Sequence, residues 1–143
     1  MALKPTERWH APDDYWYDGH HQWIADGEDT ATLRVGVTDY TQDTAGEILY
    51  VSLPEPGASV KEGEPFGSIE SGKWVGQLYA PCDGTVVAIN TALQAEPQLL
   101  NQDPYQKGWL IELHPATPKS FSKWLTPPSY RALLATLDDG YHD

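Results

Sequence analysis

One lysine in this chain, Lys73, lies at a position where another enzyme could modify it. Strand patterns at 66–70 and 75–79 are separated by Ser71-Gly72-Lys73-Trp74, so the spacing predicts a β-hairpin with Lys73 at its tip. A neutral lysine amine is a nucleophile that forms amides, and an exposed tip lets another enzyme reach it. Lys73 is therefore a candidate for bearing a tethered group. The hairpin alone equally allows a solvated lysine with no special role.

The rest of the chain offers little for catalysis. Its five histidines are scattered, and Cys82 is the only cysteine, so no disulfide or Cys-x-x-Cys site can form within the chain. Cys82 precedes a predicted turn, where we expect it to fill space. His20 and His21 lie near several aspartates, but adjacent residues of a strand face opposite ways. We therefore expect no catalytic residue and no metal site.

The charge of the chain excludes some classes of partner. Of its 143 residues, 21 are acidic and 9 are basic, which gives a formal net charge of −12. A nucleic-acid binder needs a basic surface, and an anionic membrane would repel this protein, so we expect neither partner. A protein with a basic docking patch is the natural complement. The start of the chain lacks the apolar core of a signal peptide, and no apolar run reaches 18 residues. These features predict a cytoplasmic protein.

The elements that must position Lys73 are mostly strands. Residues 31–37 alternate apolar and polar side chains, which is typical of a half-buried strand. Residues 1–20 read as an irregular arm rich in aromatic and acidic residues, and 21–143 as a single domain. A short helix is predicted from Thr38 to a stop at Gly46, and residues 91–100 fit a short helix or a loop. Further strands are predicted at 20–25, 47–53, 85–89 and 109–113, and a loop at 101–104.

A weak internal repeat predicts how these strands are arranged. Residues 46–51 match residues 84–89 in pattern, and residues 63–70 occupy the same place in their half as 108–113. Two such halves can form a flattened antiparallel β-sandwich with pseudo-twofold symmetry, and the Lys73 hairpin lies at their joint. Pro127-Pro128 opens a helix at the C-terminus, where Tyr130, Leu133, Leu134 and Leu137 repeat at helical spacing, and 138–140 end it.

The hairpin and its surroundings resemble the glycine cleavage H-protein family. Glu70-Ser71-Gly72-Lys73 is similar to the Glu-Ser-x-Lys lipoylation motif of that family. The resemblance implies the lipoyl-domain fold (a barrel-sandwich hybrid) over 21–143 and lipoic acid covalently bound at Lys73, with Glu70 and Ser71 either recognised by the ligase or shaping the turn. Further blocks that match in order and spacing are Gly36-Val37-Thr38-Asp39-Tyr40, Leu53-Pro54-Glu55-Pro56-Gly57, Gly63-Glu64-Pro65-Phe66-Gly67, Leu78-Tyr79-Ala80-Pro81, Gly84-Thr85-Val86-Val87 and Asn101-Gln102-Asp103-Pro104-Tyr105.

The tip itself departs from glycine cleavage carriers. Those proteins usually have valine at the position of Gly72 and alanines at the positions of Trp74 and Val75. This tip looks more like that of the H-like lipoate-binding proteins of sulfur oxidisers, which work with a heterodisulfide-reductase-like complex. That likeness implies a swinging-arm carrier of sulfur intermediates, with Gly72 and Trp74 shaping the surroundings of the arm. Cys82 could then exchange with the lipoyl disulfide.

Two alternatives remain open. One is an H protein of the glycine cleavage system that carries an aminomethyl group, with glycine decarboxylase and dihydrolipoamide dehydrogenase as partners. The other is an unlipoylated regulatory or scaffold protein with the same fold. In the carrier interpretations the chain is a substrate of a lipoate ligase or lipoyl transferase and is not itself an enzyme.

Overall fold

Two antiparallel sheets make up most of the fold. The computed structural model describes residues 8–138. Its strands are β1 (Trp16–Tyr17), β2 (Gln22–Asp26), β3 (Leu33–Val37), β4 (Ile48–Ser52), β5 (Ser59–Val60), β6 (Pro65–Ser71), β7 (Val75–Tyr79), β8 (Gly84–Ile89) and β9 (Ile111–Pro115). One sheet has the order β1-β2-β3-β9-β8-β5 and the other β4-β6-β7. The predicted mainly β fold with two antiparallel sheets is confirmed.

Four helices complete the part of the chain that the structure describes. They are α1 (Asp39–Ala45), α2 (Ala92–Ala95), α3 (Leu99–Gln102) and α4 (Pro127–Asp138). Helix α1 begins after Thr38 and ends at Gly46, whose φ of 82° is the left-handed conformation that favours glycine. The Thr38 hydroxyl does not cap α1, because it lies 2.7 Å from the Tyr130 hydroxyl and bonds to it instead. Helix α4 confirms the predicted C-terminal helix; its predicted end at 138–140 lies partly outside the described residues.

The two halves of the repeat fall in different sheets. Strand β4 pairs with β6 in the three-stranded sheet, and β8 pairs with β9 in the six-stranded sheet. Each pairing contains a register shift at the same repeat position, between Ile48 and Tyr50 and between Val86 and Ala88. Buried apolar side chains from both sheets form one core, including Ile24, Leu33, Val35, Ile48, Ile69, Leu78, Val86, Ile111 and Leu113.

The N-terminal arm is more ordered than its sequence indicates. Residues 16 and 17 form β1, which pairs with β2, so the prediction of an entirely irregular arm is wrong there. The arm and helix α4 share a second apolar cluster in which Trp9, Tyr17 and Tyr130 are buried. The ring of Tyr17 stacks on that of Tyr130 with centroids 4.3 Å apart. Residues 1–7 of the arm lie outside the described residues, and the arm–domain boundary at residue 20 stays a prediction.

Residues 91–104 contain more helix than predicted. Helices α2 and α3 are separate turns, and α3 includes Asn101 and Gln102, which were predicted as loop. The Asn101 side chain explains the difference, because it is hydrogen-bonded to the segment between α1 and β4. Its amide oxygen accepts from the Ile48 N–H at 2.9 Å, and its amide nitrogen donates to the Gly46 carbonyl at 2.9 Å. Between residues 8 and 138, no helix is long and apolar enough to cross a membrane.

Candidate functional site

The hairpin that bears Lys73 closes as tightly as the sequence predicts. Glu70 and Val75 are the last paired residues of β6 and β7. Beyond them, the Ser71 N–H donates to the Trp74 carbonyl at 2.8 Å, and the Lys73 N–H donates to the Ser71 hydroxyl at 3.3 Å. Ser71 is itself buried. These bonds fix the backbone beneath Lys73, so Ser71 acts here as a residue that shapes the turn.

The Lys73 side chain is exposed at the apex of this hairpin. Its amine forms no hydrogen bond or ion pair with any residue between 8 and 138. Its stem passes over Gly46, where an added Cβ would lie 3.2 Å from the Lys73 Cε. A shallow recess lined by Ala45, Gly46, Glu47 and Leu49 surrounds it. The sequence marked Gly46 only as a helix stop, and nothing in its pattern showed that Lys73 would lie over it.

Trp74 does not line this recess. Its ring covers Gly76 so closely that a Cβ there would meet ring carbon at 1.9 Å. The indole is 41% exposed and borders a cleft lined also by His20, Gln77 and Tyr79. Gly72, in contrast, has no atom within 4 Å of an added Cβ. The tip residues therefore lie next to Lys73, but Trp74 and Lys73 line different pockets.

The histidines near the cleft have packing partners. The His20 ring stacks on Tyr79 with centroids 4.2 Å apart, and the His21 ring lies 4.3 Å from that of Tyr40. His21 Nδ1 lies 2.9 Å from the Tyr130 hydroxyl, and burial lowers the pKa of His21 to about 4. Residues 8–138 contain no group of three or more His, Cys, Asp or Glu side chains that could hold a metal ion.

Cys82 is buried in the main core. It borders a small cavity together with Leu33, Lys123 and Trp124, and none of these residues lines the recess around Lys73. Burial raises the pKa of the Cys82 thiol above its usual range, so the reactive thiolate is disfavoured. These observations agree with a packing role, and an exchange with a tethered disulfide stays a prediction.

Lys73 fits a covalently attached acyl group. A lysine that is to be acylated must be exposed, must have an amine that no carboxylate binds, and must stand on a fixed backbone. Lys73 is exposed on a hydrogen-bonded turn, and no carboxylate between residues 8 and 138 binds its amine. A β-sandwich that presents a lysine in this way defines a carrier domain, which holds a tethered group out to other enzymes.

Comparison with known proteins identifies the family of this carrier. The family model of the glycine cleavage H-protein matches residues 15–136. The chain is 41% identical over 123 residues to a glycine cleavage system H protein of Oceanobacillus iheyensis, covering 86% of this chain and 96% of that protein. It is 42% identical over 123 residues to one of Bacillus subtilis, covering 85% and 94%. The chain belongs to the glycine cleavage H-protein family, whose members carry lipoic acid covalently on a lysine and are carriers, not enzymes.

A solved structure supports the same family. The crystal structure of a glycine cleavage system H protein from Mycobacterium marinum superposes with a TM-score of 0.76 at 36% identity, covering 85% of this chain and 97% of that one. These relatives support the lipoyl-carrier prediction. They favour the glycine cleavage alternative over the sulfur-oxidation function that the tip sequence suggested.

Proposed function

We propose that this chain is the lipoyl carrier of a glycine cleavage system, with the lipoyl group in amide linkage to Lys73. Family membership supports the system in which it works. The observation that supports the attachment point is the exposed amine of Lys73, which has no partner in the described part of the chain, at the apex of a turn closed by Ser71 and Trp74. Among residues 8–138, no other lysine stands in a short turn between two directly paired strands, since Lys107 lies in the long helical connection between β8 and β9.

The chain's own part in the attachment is to present a nucleophile. The neutral Lys73 amine attacks the acyl carbon of an activated lipoate, the bond from that carbon to its leaving group breaks, and the nitrogen loses a proton. The buried Ser71 holds the root of the side chain, so little backbone freedom is lost when the modifying enzyme captures it. Once attached, the dithiolane supplies reversible two-electron disulfide chemistry and a thiol for a cargo.

The partners follow from this function. A lipoate ligase or lipoyl transferase attaches the group, and glycine decarboxylase and dihydrolipoamide dehydrogenase act on the arm. Tethering to one docked protein raises the local concentration of the dithiolane at each active site, so the chain needs no catalytic residue of its own.

The tip supports a second candidate cargo. Trp74 and Gly76 form a ring-on-glycine contact beside the arm, and the sequence around it resembles that of sulfur-oxidising carriers. A sulfur-bearing intermediate, handled by a heterodisulfide-reductase-like complex, would use the same lysine and the same dithiolane. The two candidates differ in the cargo and in the enzyme that accepts the arm.

Intact-mass measurement tests the attachment. Co-expression with a lipoate ligase should add one lipoyl amide to the wild type, none to Lys73→Arg, and one to the matched control Lys61→Arg. Modification of Lys73→Arg would instead place the lipoyl group on another lysine, and a wild type left unmodified by both a ligase and a transferase would support an unlipoylated scaffold.

A turnover assay with the modified protein tests the cargo. Purified lipoylated protein should support glycine-dependent release of CO2 by glycine decarboxylase. If fully lipoylated protein fails to support it while a heterodisulfide-reductase-like complex accepts the arm, the glycine assignment is wrong and the sulfur assignment stands.

A further inference from the structure

The small cavity that Cys82 borders lies away from the Lys73 hairpin, since Cys82 follows the far end of β7. The start of β3, the turn before β8 and the segment 115–124, which leads from β9 towards α4, enclose this cavity. We call it the distal cavity. Its volume is about 120 Å³, close to that of an engineered cavity that binds benzene, so it suits a ligand of about six to eight non-hydrogen atoms.

The wall that segment 115–124 provides is fixed by bonds at both of its ends. At one end, the Ala116 N–H donates to the Asp83 carbonyl at 2.9 Å. Just beyond the other end, Leu125 and Tyr17 exchange two backbone hydrogen bonds, of 2.7 and 2.9 Å. Sites for small molecules are usually formed before the ligand arrives, and these bonds form the distal cavity without one.

The floor of the distal cavity is apolar. Leu33, Cys82 and Trp124 line it and are buried, and Pro115 and Pro118 line it as well. Burial raises the pKa of the Cys82 thiol above its usual range, so the thiol stays neutral and brings no negative charge to the cavity. This floor suits a short hydrocarbon chain, because each methylene that leaves water is stabilised there.

The rim of the distal cavity consists of hydrogen-bond donors. Lys119 and Lys123 line it, and so do the hydroxyl residues Thr117, Ser120 and Ser122. No acidic residue between 8 and 138 lines it, although the chain has 21 acidic residues and only 9 basic ones. An ammonium group can donate hydrogen bonds but cannot accept them. The rim is therefore complementary to an anionic acceptor.

Both lysines have donors left over from the bonds they form within residues 8–138. Lys119 Nζ donates to Asp26 at 2.7 Å and to the Thr32 carbonyl at 3.2 Å. Lys123 Nζ donates to Glu62 at 2.7 Å. An ammonium has three N–H donors, and the two carboxylate side chains are 65% and 60% exposed, so these pairs are solvated and weak. An anion can therefore bind both lysines while the pairs persist.

We propose that the distal cavity binds a small aliphatic carboxylate of about four to six carbons. Its carboxylate accepts hydrogen bonds from Lys119 and Lys123 at the rim, and its hydrocarbon chain packs on Leu33 and Trp124 in the floor. An inorganic anion would leave the floor empty, and an uncharged alcohol would not use the charge of the lysines. No residue of the distal cavity lines the pockets beside Lys73, so this inference does not rest on the proposed attachment.

The experiment titrates the full-length protein with butanoate and hexanoate at constant ionic strength. NMR follows the Leu33 amide and the Trp124 indole N–H, and acetate, sulfate and 1-butanol serve as comparison ligands. Alkylation by iodoacetamide gives a second readout of the same cavity, because Cys82 is the only cysteine. Lys123→Gln removes one of the two cations. Its matched control is Lys61→Gln, since Lys61 is exposed and does not line the cavity.

Butanoate and hexanoate should shift both signals saturably, with a Kd of about 0.1–1 mM, as expected for ligands of this size. Acetate and sulfate should bind at least about tenfold more weakly because they do not fill the floor, and 1-butanol similarly because it lacks the charge. Lys123→Gln should raise the Kd for butanoate about five- to tenfold, whereas Lys61→Gln should leave it unchanged. Alkylation of Cys82 should slow in proportion to the occupied fraction.

Three results would overturn the proposal. The first is the absence of any saturable shift with butanoate and hexanoate up to about 20 mM. The second is equally tight binding of 1-butanol, because the lysines would then contribute nothing. The third is an equal loss of affinity in Lys61→Gln and Lys123→Gln, which would reflect general charge and not a site. None of these results bears on the proposed function, which fails only if Lys73 itself is not modified.

Discussion

The two halves of the sandwich share a strand pairing with the same register shift, but the glutamate that follows the shift has different partners in each half. In the half formed by β8 and β9, Glu112 is only 7% exposed and is bonded to Arg34 of the neighbouring strand and to Thr32, which directly precedes that strand. In the half formed by β4 and β6, Glu70 at the same repeat position is exposed beside Val75. The neighbouring strand makes the difference, since β3 supplies a cation and β7 does not.

This contrast shows how a repeated scaffold separates support from function. One copy satisfies its polar groups internally and serves stability. The other leaves a carboxylate, an aromatic ring and a lysine open to solvent at one corner, where another protein can contact them. Predictions on matched residues of the two halves test whether the separation holds.

The largest difference is expected at the two glutamates. Arg34→Ala should lower the free energy of unfolding by about 3 kcal/mol, because it leaves the nearly buried Glu112 without its cation. Glu70→Gln in the other half should change it by less than about 0.5 kcal/mol. Urea unfolding of both variants measures this, and equal effects would remove the contrast.

Glycines at the start of the two repeats should differ next. Gly84→Ala should cost about 2–3 kcal/mol, because the new Cβ would lie 2.6 Å from the backbone oxygen of His114. Gly46→Ala should cost about 1–2 kcal/mol for its left-handed backbone alone, since the nearest atom to its new Cβ belongs to the flexible Lys73 side chain. Thermal unfolding ranks the two, and a reversed order would contradict the geometry.

A smaller effect is expected at the hydroxyl that bonds Glu112. Thr32→Val keeps the shape of the side chain but leaves the Glu112 carboxylate with one hydrogen bond fewer, so stability should fall by about 1–2 kcal/mol. Thr85→Val, on an exposed position of β8, is the control and should stay within about 0.5 kcal/mol of the wild type. Chemical denaturation at neutral pH suffices for the measurement.

The smallest effect comes from making the tip resemble the other half. Val75→Arg places a cation opposite Glu70, as Arg34 is placed opposite Glu112. Because both groups would be exposed, the new pair should stabilise the fold by at most about 1 kcal/mol. A gain of several kcal/mol would show that Glu70 is not held in the solvated state that the structure describes.

Much of the site could be predicted because it depends on local sequence. A four-residue link between two strand patterns places Lys73 at a tip whatever packs elsewhere, and the structure has β7 at the predicted residues. Helix α4 was equally predictable from its opening prolines and apolar spacing. Strand β1 could not be predicted, because a strand of two residues is too short to show an alternation of apolar and polar side chains. Its position depends on pairing with β2 and on a bridge from Tyr17 to Leu125.

The exposure of Leu49 and Tyr50 could not be predicted from alternation. Leu49, Tyr50 and Val51 are consecutive apolar residues, and a period of two cannot say which of them faces water. The register shift between Ile48 and Tyr50 decides it. Asn101 illustrates the same limit, since its loop-forming character is overridden by bonds to Ile48 and Gly46 that lie far away in sequence.

The sequence by itself determined the sandwich, the hairpin and the lysine at its apex, because turn residues and strand periodicity act over a few neighbouring positions. Only the tertiary structure decided which glutamate meets a cation and which meets solvent. That outcome depends on the strand that lies alongside, and sheet order is set by packing between residues that are distant in the chain.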